Sequence, residues 1–184
     1  MALTPSNPFP LGSKAPDFSL PEPLSQKTHR LADLKGEKGT VILFICNHCP
    51  FVHHVNPELL PLALDYQSNG IRFIAISSND VANYPEDAPE KMVEVAQQLH
   101  YPFPYLYDES QAVAQAYDAA CTPDFYLFDA DLRCTYHGQL DDSRPGNDAP
   151  LNGHSLRAAL DALLLEKAPL AEQKPSIGCG IKWK

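Results

Sequence analysis

The sequence contains no apolar run long enough to span a membrane, and its first ten residues lack the basic and apolar segments of a secretory signal peptide. Positive charge is scarce too. Fourteen lysine and arginine residues stand against 23 aspartate and glutamate residues, which gives a formal net charge of −9. Nucleic acids and anionic membranes attract clustered positive charge, so neither is an expected partner. These absences predict a cytoplasmic protein.

Cysteine is present in an odd number, which argues against a static framework of disulfide bonds. A chain of 184 residues can bury a core without such bonds. The five cysteines are Cys46, Cys49, Cys121, Cys134 and Cys179. In a reducing compartment, a close pair such as Cys46 and Cys49 indicates redox or metal chemistry rather than a structural bond.

The pattern of apolar residues predicts a single α/β domain over residues 1–184, in which helices cover a mixed central sheet. Prolines in residues 1–16 predict an extended surface arm, and residues 167–184 are expected to form an irregular tail. Expected strands cover residues 41–45, 71–76, 125–128 and 132–137, and expected helices begin after residue 49 and near residues 89 and 152. Helical crossovers predict parallel strands, and the last two strands predict an antiparallel hairpin.

The helix after Cys49 has a clear apolar face, which is interrupted by Pro57 and Pro61. Because a proline inside a helix removes one backbone hydrogen bond, these two residues predict a kinked or two-part helix. The residues predicted to face inward are Val52, Val55, Leu59, Leu62, Ala63 and Tyr66.

The first candidate site is the Cys46-x-x-Cys49 pair, which follows the apolar run 41–45 and precedes Pro50. Proline is well tolerated in the first turn of a helix, so this order predicts a strand that delivers both cysteines to a helix start. Unpaired backbone N–H groups and the helix dipole would stabilise a thiolate there. Cys46 is the expected exposed attacker and Cys49 the more buried resolving cysteine. A cationic His48 between them would lower the pKa of Cys46.

A metal site is the alternative interpretation of the same stretch. Its candidate ligands are Cys46, His48, Cys49, His53 and His54, and Cys121 could join them. A structural zinc site usually needs a second pair of ligands at a similar spacing, and the sequence has none. The pair is not a haem attachment motif either, because Pro50 stands where that motif requires histidine. We therefore predict no metal and no other cofactor, and expect solvated side chains for the two later histidines.

The second candidate site is Thr122-Pro123, directly before the expected strand at 125–128. Only about one X–Pro bond in twenty is cis in folded proteins, so the local sequence by itself favours an ordinary trans proline. A cis bond would instead place the Thr122 backbone against the cysteines, where it could pair with an incoming extended peptide. Cys121 would then also lie near the pair, although a packed spectator is the favoured interpretation for it.

Three segments of the chain resemble the peroxiredoxin-like branch of the thioredoxin superfamily, which is grouped with the alkyl hydroperoxide reductase/thiol-specific antioxidant proteins. They are residues 44–52, 121–125 and 175–184, and residues 15–19 and 138–145 extend the match. The resemblance implies a thioredoxin-like fold.

The same resemblance implies that Cys46 and Cys49 are the redox pair and that Pro123 is a cis-proline opposite them. Beside these residues, Asn47, His48, Thr122 and Cys121 are the candidate substrate-binding or tuning residues.

Two departures from the family pattern limit what can be transferred. Peroxiredoxins proper carry Pro-x-x-x-Thr/Ser-x-x-Cys, but Gly39 and Leu43 occupy the matching positions before Cys46, and Cys49 does not fit the pattern either. Thioredoxins usually carry a buried acid on the strand before the pair, and residues 40–45 contain none. An antioxidant peroxidase activity is therefore not predicted, and the proton acceptor for Cys49 is not identified.

Together these features predict a thiol–disulfide oxidoreductase that exchanges with a protein or small thiol substrate and is served by a reductase partner. A thiol peroxidase and a Cys/His metal-binding protein are the alternatives. Cys134 lies in an expected strand and should be inert. Cys179 lies between two glycines near the end of the chain and is the best candidate for an additional redox thiol.

Overall fold

The computed structural model describes residues 3–184, and its centre is a five-stranded mixed sheet. The strands are β1 (Leu3–Pro5), β2 (Ser19–Glu22), β3 (Lys27–Arg30), β4 (Gly39–Phe44), β5 (Ile71–Ser77), β6 (Tyr105–Tyr107), β7 (Cys121–Thr122), β8 (Asp124–Asp129), β9 (Cys134–Gly138) and β10 (Ile177–Gly180). The helices are α1 (Leu31–Leu34), α2 (Pro50–Gln67), α3 (Pro89–Gln98), α4 (Ala112–Ala116) and α5 (His154–Leu164), with a 3-10 turn at Pro85–Asp87.

The central sheet has the strand order β6-β5-β4-β8-β9. Strand β5 runs parallel to both β4 and β6, whereas β8 runs antiparallel to both β4 and β9. The predicted mixed sheet with a late antiparallel hairpin is therefore confirmed. Helical crossovers produce the parallel pairs because a parallel connection must return to the same end of the sheet.

Strand β4 is buried along its whole length because helices cover both faces of the sheet. Val41 and Leu43 point into the core beneath α2, α3 and α5. Ile42 and Phe44 point into the second core, where α1 and α4 pack. Two-sided burial explains why this strand is an unbroken apolar run rather than an alternating pattern.

Helix α2 runs without interruption over Pro50–Gln67, although Pro57 and Pro61 lie inside it. The two-part alternative is therefore wrong, whereas the kink stays a prediction. Burial of one apolar face offsets the two lost backbone hydrogen bonds. The six residues predicted to face inward are all buried. No helix within residues 3–184 is both long enough and apolar enough to cross a membrane.

Both ends of the chain contain strands, which corrects the expected irregular tail. Strand β10 lies between β1 and β7 in a second sheet and is antiparallel to each of them. Leu3 pairs with Cys179, and Cys179 in turn pairs with Thr122. The arm and the tail therefore hold each other beside the cis-proline region, a long-range pairing that local patterns do not reveal.

Gly178→Ala tests how tightly β10 is seated. A Cβ atom at residue 178 would lie 2.0 Å from the carbonyl oxygen of Thr122, so the strand would have to move. We expect the free energy of unfolding to fall by about 1–3 kcal/mol, measured by chemical denaturation. Gly180→Ala is the matched control, because its nearest neighbour is the Thr4 hydroxyl at 3.1 Å, and it should cost less. Equal stability of Gly178→Ala and the wild type would contradict tight seating.

Candidate redox site

The Cys-x-x-Cys pair lies in the connection between β4 and α2. Cys49 is the N-cap of α2, with an extended backbone, and Pro50 is the first helical residue. The Cys49 carbonyl accepts the first helical hydrogen bond, from the His53 N–H at 3.0 Å. Cys46 is only 2% exposed and Cys49 is fully buried, so the expectation of an exposed Cys46 is wrong.

Thr122 contacts both sulfur atoms from the opposite side. The Thr122–Pro123 peptide bond is cis. The Thr122 Oγ1 lies 3.4 Å from the Cys46 Sγ, and the Thr122 carbonyl oxygen lies 3.3 Å from the Cys49 Sγ. Thr122 therefore helps to position the pair. Its strand edge does not receive an external peptide as expected, because β10 already occupies it.

The two cysteines differ in acidity, and Cys49 is the more acidic of the two. A hydrogen bond from the Cys46 thiol lowers the pKa of Cys49 to about 4. Burial opposes this shift, while the Cys179 thiol and the Val52 N–H add to the stabilisation of the thiolate. These groups act at the start of α2, where unpaired N–H groups favour negative charge.

The pKa of Cys46 is raised well above its usual value. Donating its hydrogen bond to Cys49 is the main cause, and burial and the negative charge of Asp87 contribute further. The expectation that His48 lowers the pKa of Cys46 is therefore wrong. His48 instead faces the Asp87 carboxylate, with 2.6 Å between Nδ1 and Oδ2.

Asp87 holds the loop between the two cysteines and was not identified from the sequence. Its Oδ1 accepts the backbone N–H groups of Asn47 at 2.7 Å and His48 at 3.2 Å. Its Oδ2 accepts the Asn79 amide at 2.8 Å and faces the His48 ring. The family pattern predicts an acid on the preceding strand, whereas this buried acid comes from the 3-10 turn before α3. Its local sequence carries no signal that would have distinguished it.

Asn47 stabilises the loop between the two cysteines through three hydrogen bonds. Its side-chain amide donates to the Glu86 carbonyl at 2.9 Å, and its Oδ1 accepts the Tyr105 hydroxyl at 3.0 Å. The His53 Nε2 lies 2.5 Å from the Asn47 carbonyl oxygen. Cys121 is fully buried, and burial raises its pKa above the usual range, which agrees with a packed spectator.

One side of Cys46 opens on a cleft of about 500 Å³ between α2 and α3. Its apolar lining comes from Pro57, Leu60, Val95 and Leu99, and its polar lining comes from Asn47, His53, Asn56 and Gln98. No carboxylate, lysine or arginine lines this cleft. Cys49 is not part of the lining, so a molecule in the cleft would meet the sulfur of Cys46 first.

Cys46, His48 and Asp87 are the one group of three potential metal ligands that residues 3–184 bring together, with ligand atoms within 4.8 Å of one another. Two backbone N–H groups, one amide and one imidazole nitrogen already surround the two oxygens of Asp87. A carboxylate with its lone pairs used in this way is a poor metal ligand. His53 and His54 do not join the group, and His54 bonds the Ser143 hydroxyl at 2.8 Å.

Cys179 lies directly beside the pair. Its pairing with Thr122 in β10 brings its Sγ to 2.8 Å from the Cys49 Sγ. Cys134, in contrast, is buried in β9, where burial raises its pKa to about 12. Of the three cysteines outside the pair, Cys179 is thus the one whose sulfur touches it.

The mixed central sheet with helices on both of its faces defines a protein of the thioredoxin-like fold. Residues 11–137 match the model of the AhpC/TSA family. The chain therefore belongs to the AhpC/TSA family, which confirms the resemblance seen in the sequence.

Solved structures share this fold. An uncharacterized conserved protein from Geobacillus kaustophilus is 61% identical with a TM-score of 0.98, and the alignment covers 100% of this chain and 97% of that chain. A hypothetical protein from Sinorhizobium meliloti 1021 is 46% identical with a TM-score of 0.96, covering 98% of each chain. A putative thiol:disulfide interchange protein DsbE from Chlorobium tepidum shares the fold at 18% identity, with a TM-score of 0.68 over 85% of this chain and 99% of that chain. No curated protein matches the sequence.

The charge on Cys49 can be tested by titration. In the reduced protein, the ultraviolet absorbance of one thiolate should persist from neutral pH down to about pH 4, because the lowered pKa keeps Cys49 ionised above that value. Cys49→Ser should remove this absorbance, and Cys46→Ala should raise the transition because it removes the main hydrogen-bond donor. Cys134→Ser is the control. Loss of the thiolate in Cys46→Ala with its retention in Cys49→Ser would reverse the assignment.

Asp87→Asn tests the support of the loop. Asparagine has an NH₂ group in place of one carboxylate oxygen, and this group would face N–H donors that the carboxylate now accepts. We therefore expect a loss of about 3 kcal/mol in the free energy of unfolding. Glu86→Gln, at the exposed neighbouring position, is the control and should be close to neutral. Chemical denaturation of the reduced proteins measures both. A neutral Asp87→Asn variant would show that the carboxylate does not hold this loop.

Proposed function

We propose that the protein is a thiol–disulfide oxidoreductase in which Cys46 and Cys49 alternate between a dithiol and a disulfide. The observation that carries this proposal is the cysteine pair at the start of α2, in which both sulfurs contact Thr122. A thiolate with a neighbouring thiol is the arrangement that disulfide exchange requires.

The two cysteines have different roles in this exchange. Cys46 lines the cleft and attacks the substrate disulfide, and its proton passes to the Cys49 thiolate to which it is hydrogen-bonded. The first substrate thiolate leaves and takes up the proton from Cys49. Cys49 then attacks the Cys46 sulfur, forms the Cys46–Cys49 disulfide and releases the second substrate thiolate. Because the leaving substrate thiolate takes up the proton of Cys49, this step needs no acid on β4.

The surrounding residues serve this pair. Thr122 and Pro123 lie opposite the two sulfurs. Asn47 and His48 stabilise the loop between the cysteines through their hydrogen bonds to Asp87. Because β10 covers the edge of β7, the substrate reaches Cys46 through the cleft between α2 and α3. The uncharged lining of that cleft suits a small or narrow disulfide with an apolar body.

Metal binding is the weaker alternative because the Asp87 lone pairs are already engaged. The acidic composition and the odd number of cysteines agree with work in the reducing cytoplasm, where a cellular reductase would regenerate the dithiol. Peroxide reduction draws no support from the residues before either cysteine, which lack the Thr/Ser and Pro of the peroxidase pattern.

Turnover of a small uncharged aromatic disulfide, with dithiothreitol as the reductant, tests the proposal. Cys46→Ser should lower the protein-dependent rate by about a hundredfold, because the cleft then contains no attacking sulfur. Cys134→Ser, a matched change of a buried cysteine away from the pair, should keep the wild-type rate.

An unchanged rate in Cys46→Ser would refute the exchange mechanism. Stopped-flow oxidation by hydrogen peroxide provides the second arm of the experiment. We expect a rate similar to that of an ordinary free thiol, and a much faster reaction would favour a peroxidase instead.

A further inference from the structure

The C-terminal strand takes the place expected for a substrate peptide. Residues 121 and 122 precede the cis proline, and Thr122 of this short strand contacts both sulfurs of the redox pair. Strand β10 is antiparallel to it, with Cys179 opposite Thr122 and Gly180 opposite Cys121. The chain thus presents one of its own cysteines where an incoming peptide would present its sulfur.

The tail is held in this position from both of its ends. The Ser176 hydroxyl donates to the Gly138 carbonyl at 2.7 Å, before the strand begins. After the strand, the Lys182 N–H donates to the Asn79 Oδ1 at 2.9 Å, and the Asn79 amide donates in turn to Asp87. Cys179 is therefore positioned by the same network that supports the loop of the redox pair.

The Cys179 sulfur lies 2.8 Å from that of Cys49, whereas an S–S bond measures about 2.05 Å. Only a small displacement separates the observed contact from a covalent bond. Because Cys46 and Cys49 both contact Thr122, the sulfur of Cys49 has Cys46 and Cys179 as two possible disulfide partners.

We propose that Cys179 is a third redox-active thiol, which extends and rests on the Cys46–Cys49 exchange proposed above. In the oxidised protein, the sulfur of Cys179 attacks the sulfur of Cys49. The Cys46–Cys49 bond breaks, the Cys49–Cys179 bond forms, and Cys46 leaves and takes up the proton lost by Cys179. The step is an internal exchange, so the number of disulfide bonds is conserved and no further oxidant is needed.

The electrostatics make this step conditional on oxidation. In the reduced protein, burial and the hydrogen bond to the Cys49 thiolate raise the pKa of Cys179 to about 12, so Cys179 acts as a proton donor. Once Cys49 is part of a disulfide, its negative charge is gone. The positive charge of Lys182, which favours the Cys179 thiolate, is still present. Oxidation of the pair therefore removes the part of the pKa shift that the Cys49 thiolate causes, while the part caused by burial persists.

The consequence is a relay of three sulfur atoms. After the exchange, Cys46 is again a thiol at the cleft, while the oxidised bond is stored behind it between α2 and β10. The oxidised protein can therefore hold its disulfide away from the substrate entrance until a reductant arrives.

Disulfide mapping tests the relay. The full-length protein is equilibrated in buffers of oxidised and reduced dithiothreitol, quenched with acid, alkylated with N-ethylmaleimide and mapped by mass spectrometry. Partly oxidised wild type should yield both the Cys46–Cys49 and the Cys49–Cys179 peptides, with alkylated Cys46 in the second species. In Cys179→Ser, alkylation of Cys46 in the oxidised species should fall at least about tenfold.

Cys46→Ser provides the decisive variant, because Cys49 and Cys179 are then the adjacent pair. It should lose two thiols per chain on oxidation and yield the Cys49–Cys179 peptide. Cys134→Ser is the matched control and should behave as the wild type. Circular dichroism of each variant checks that the fold is retained.

The possible failures are distinguishable. If the Cys46–Cys49 peptide forms but Cys49 and Cys179 stay alkylated in Cys46→Ser, the relay is refuted and the proposed function stands. If no Cys46–Cys49 peptide forms under any condition, the proposed function fails first, and the relay fails with it.

Discussion

The mutual effect of the Cys46 and Cys49 side chains on each other's ionisation is the interaction on which the proposed chemistry depends. Two buried sulfur atoms in contact do not both carry charge, so their surroundings decide which one ionises. Cys49 receives the Val52 N–H at the start of α2, whereas Cys46 faces the negative charge of Asp87. The charge therefore resides on the inner cysteine, and the outer one lines the cleft as a thiol.

The second constraint is the seating of the tail on the strand before the cis proline. Gly178 allows this approach because any side chain there would collide with the Thr122 carbonyl. The tail closes an edge that would otherwise be open to peptides, and it adds a third sulfur beside the pair. One structural element thus both restricts access to the site and supplies a candidate reactant.

Several features were predictable from short stretches of sequence. The run from Val41 to Ile45 is apolar at every position because the strand is covered on both faces, and Pro50 suits a helix start. These local signals placed both cysteines correctly between β4 and α2. The buried face of α2 followed from its spacing of apolar residues, despite Pro57 and Pro61.

The sequence by itself thus determined the mixed sheet, the helix-start position of the cysteine pair and the AhpC/TSA resemblance, because periodicity and helix capping are local properties. Only the tertiary structure decided which cysteine carries the charge, since Asp87 lies 40 residues from Asn47 along the chain. It also decided the place of Cys179, which is 130 residues from Cys49. Charge and burial depend on neighbours brought together by folding, and local sequence patterns carry no record of those neighbours.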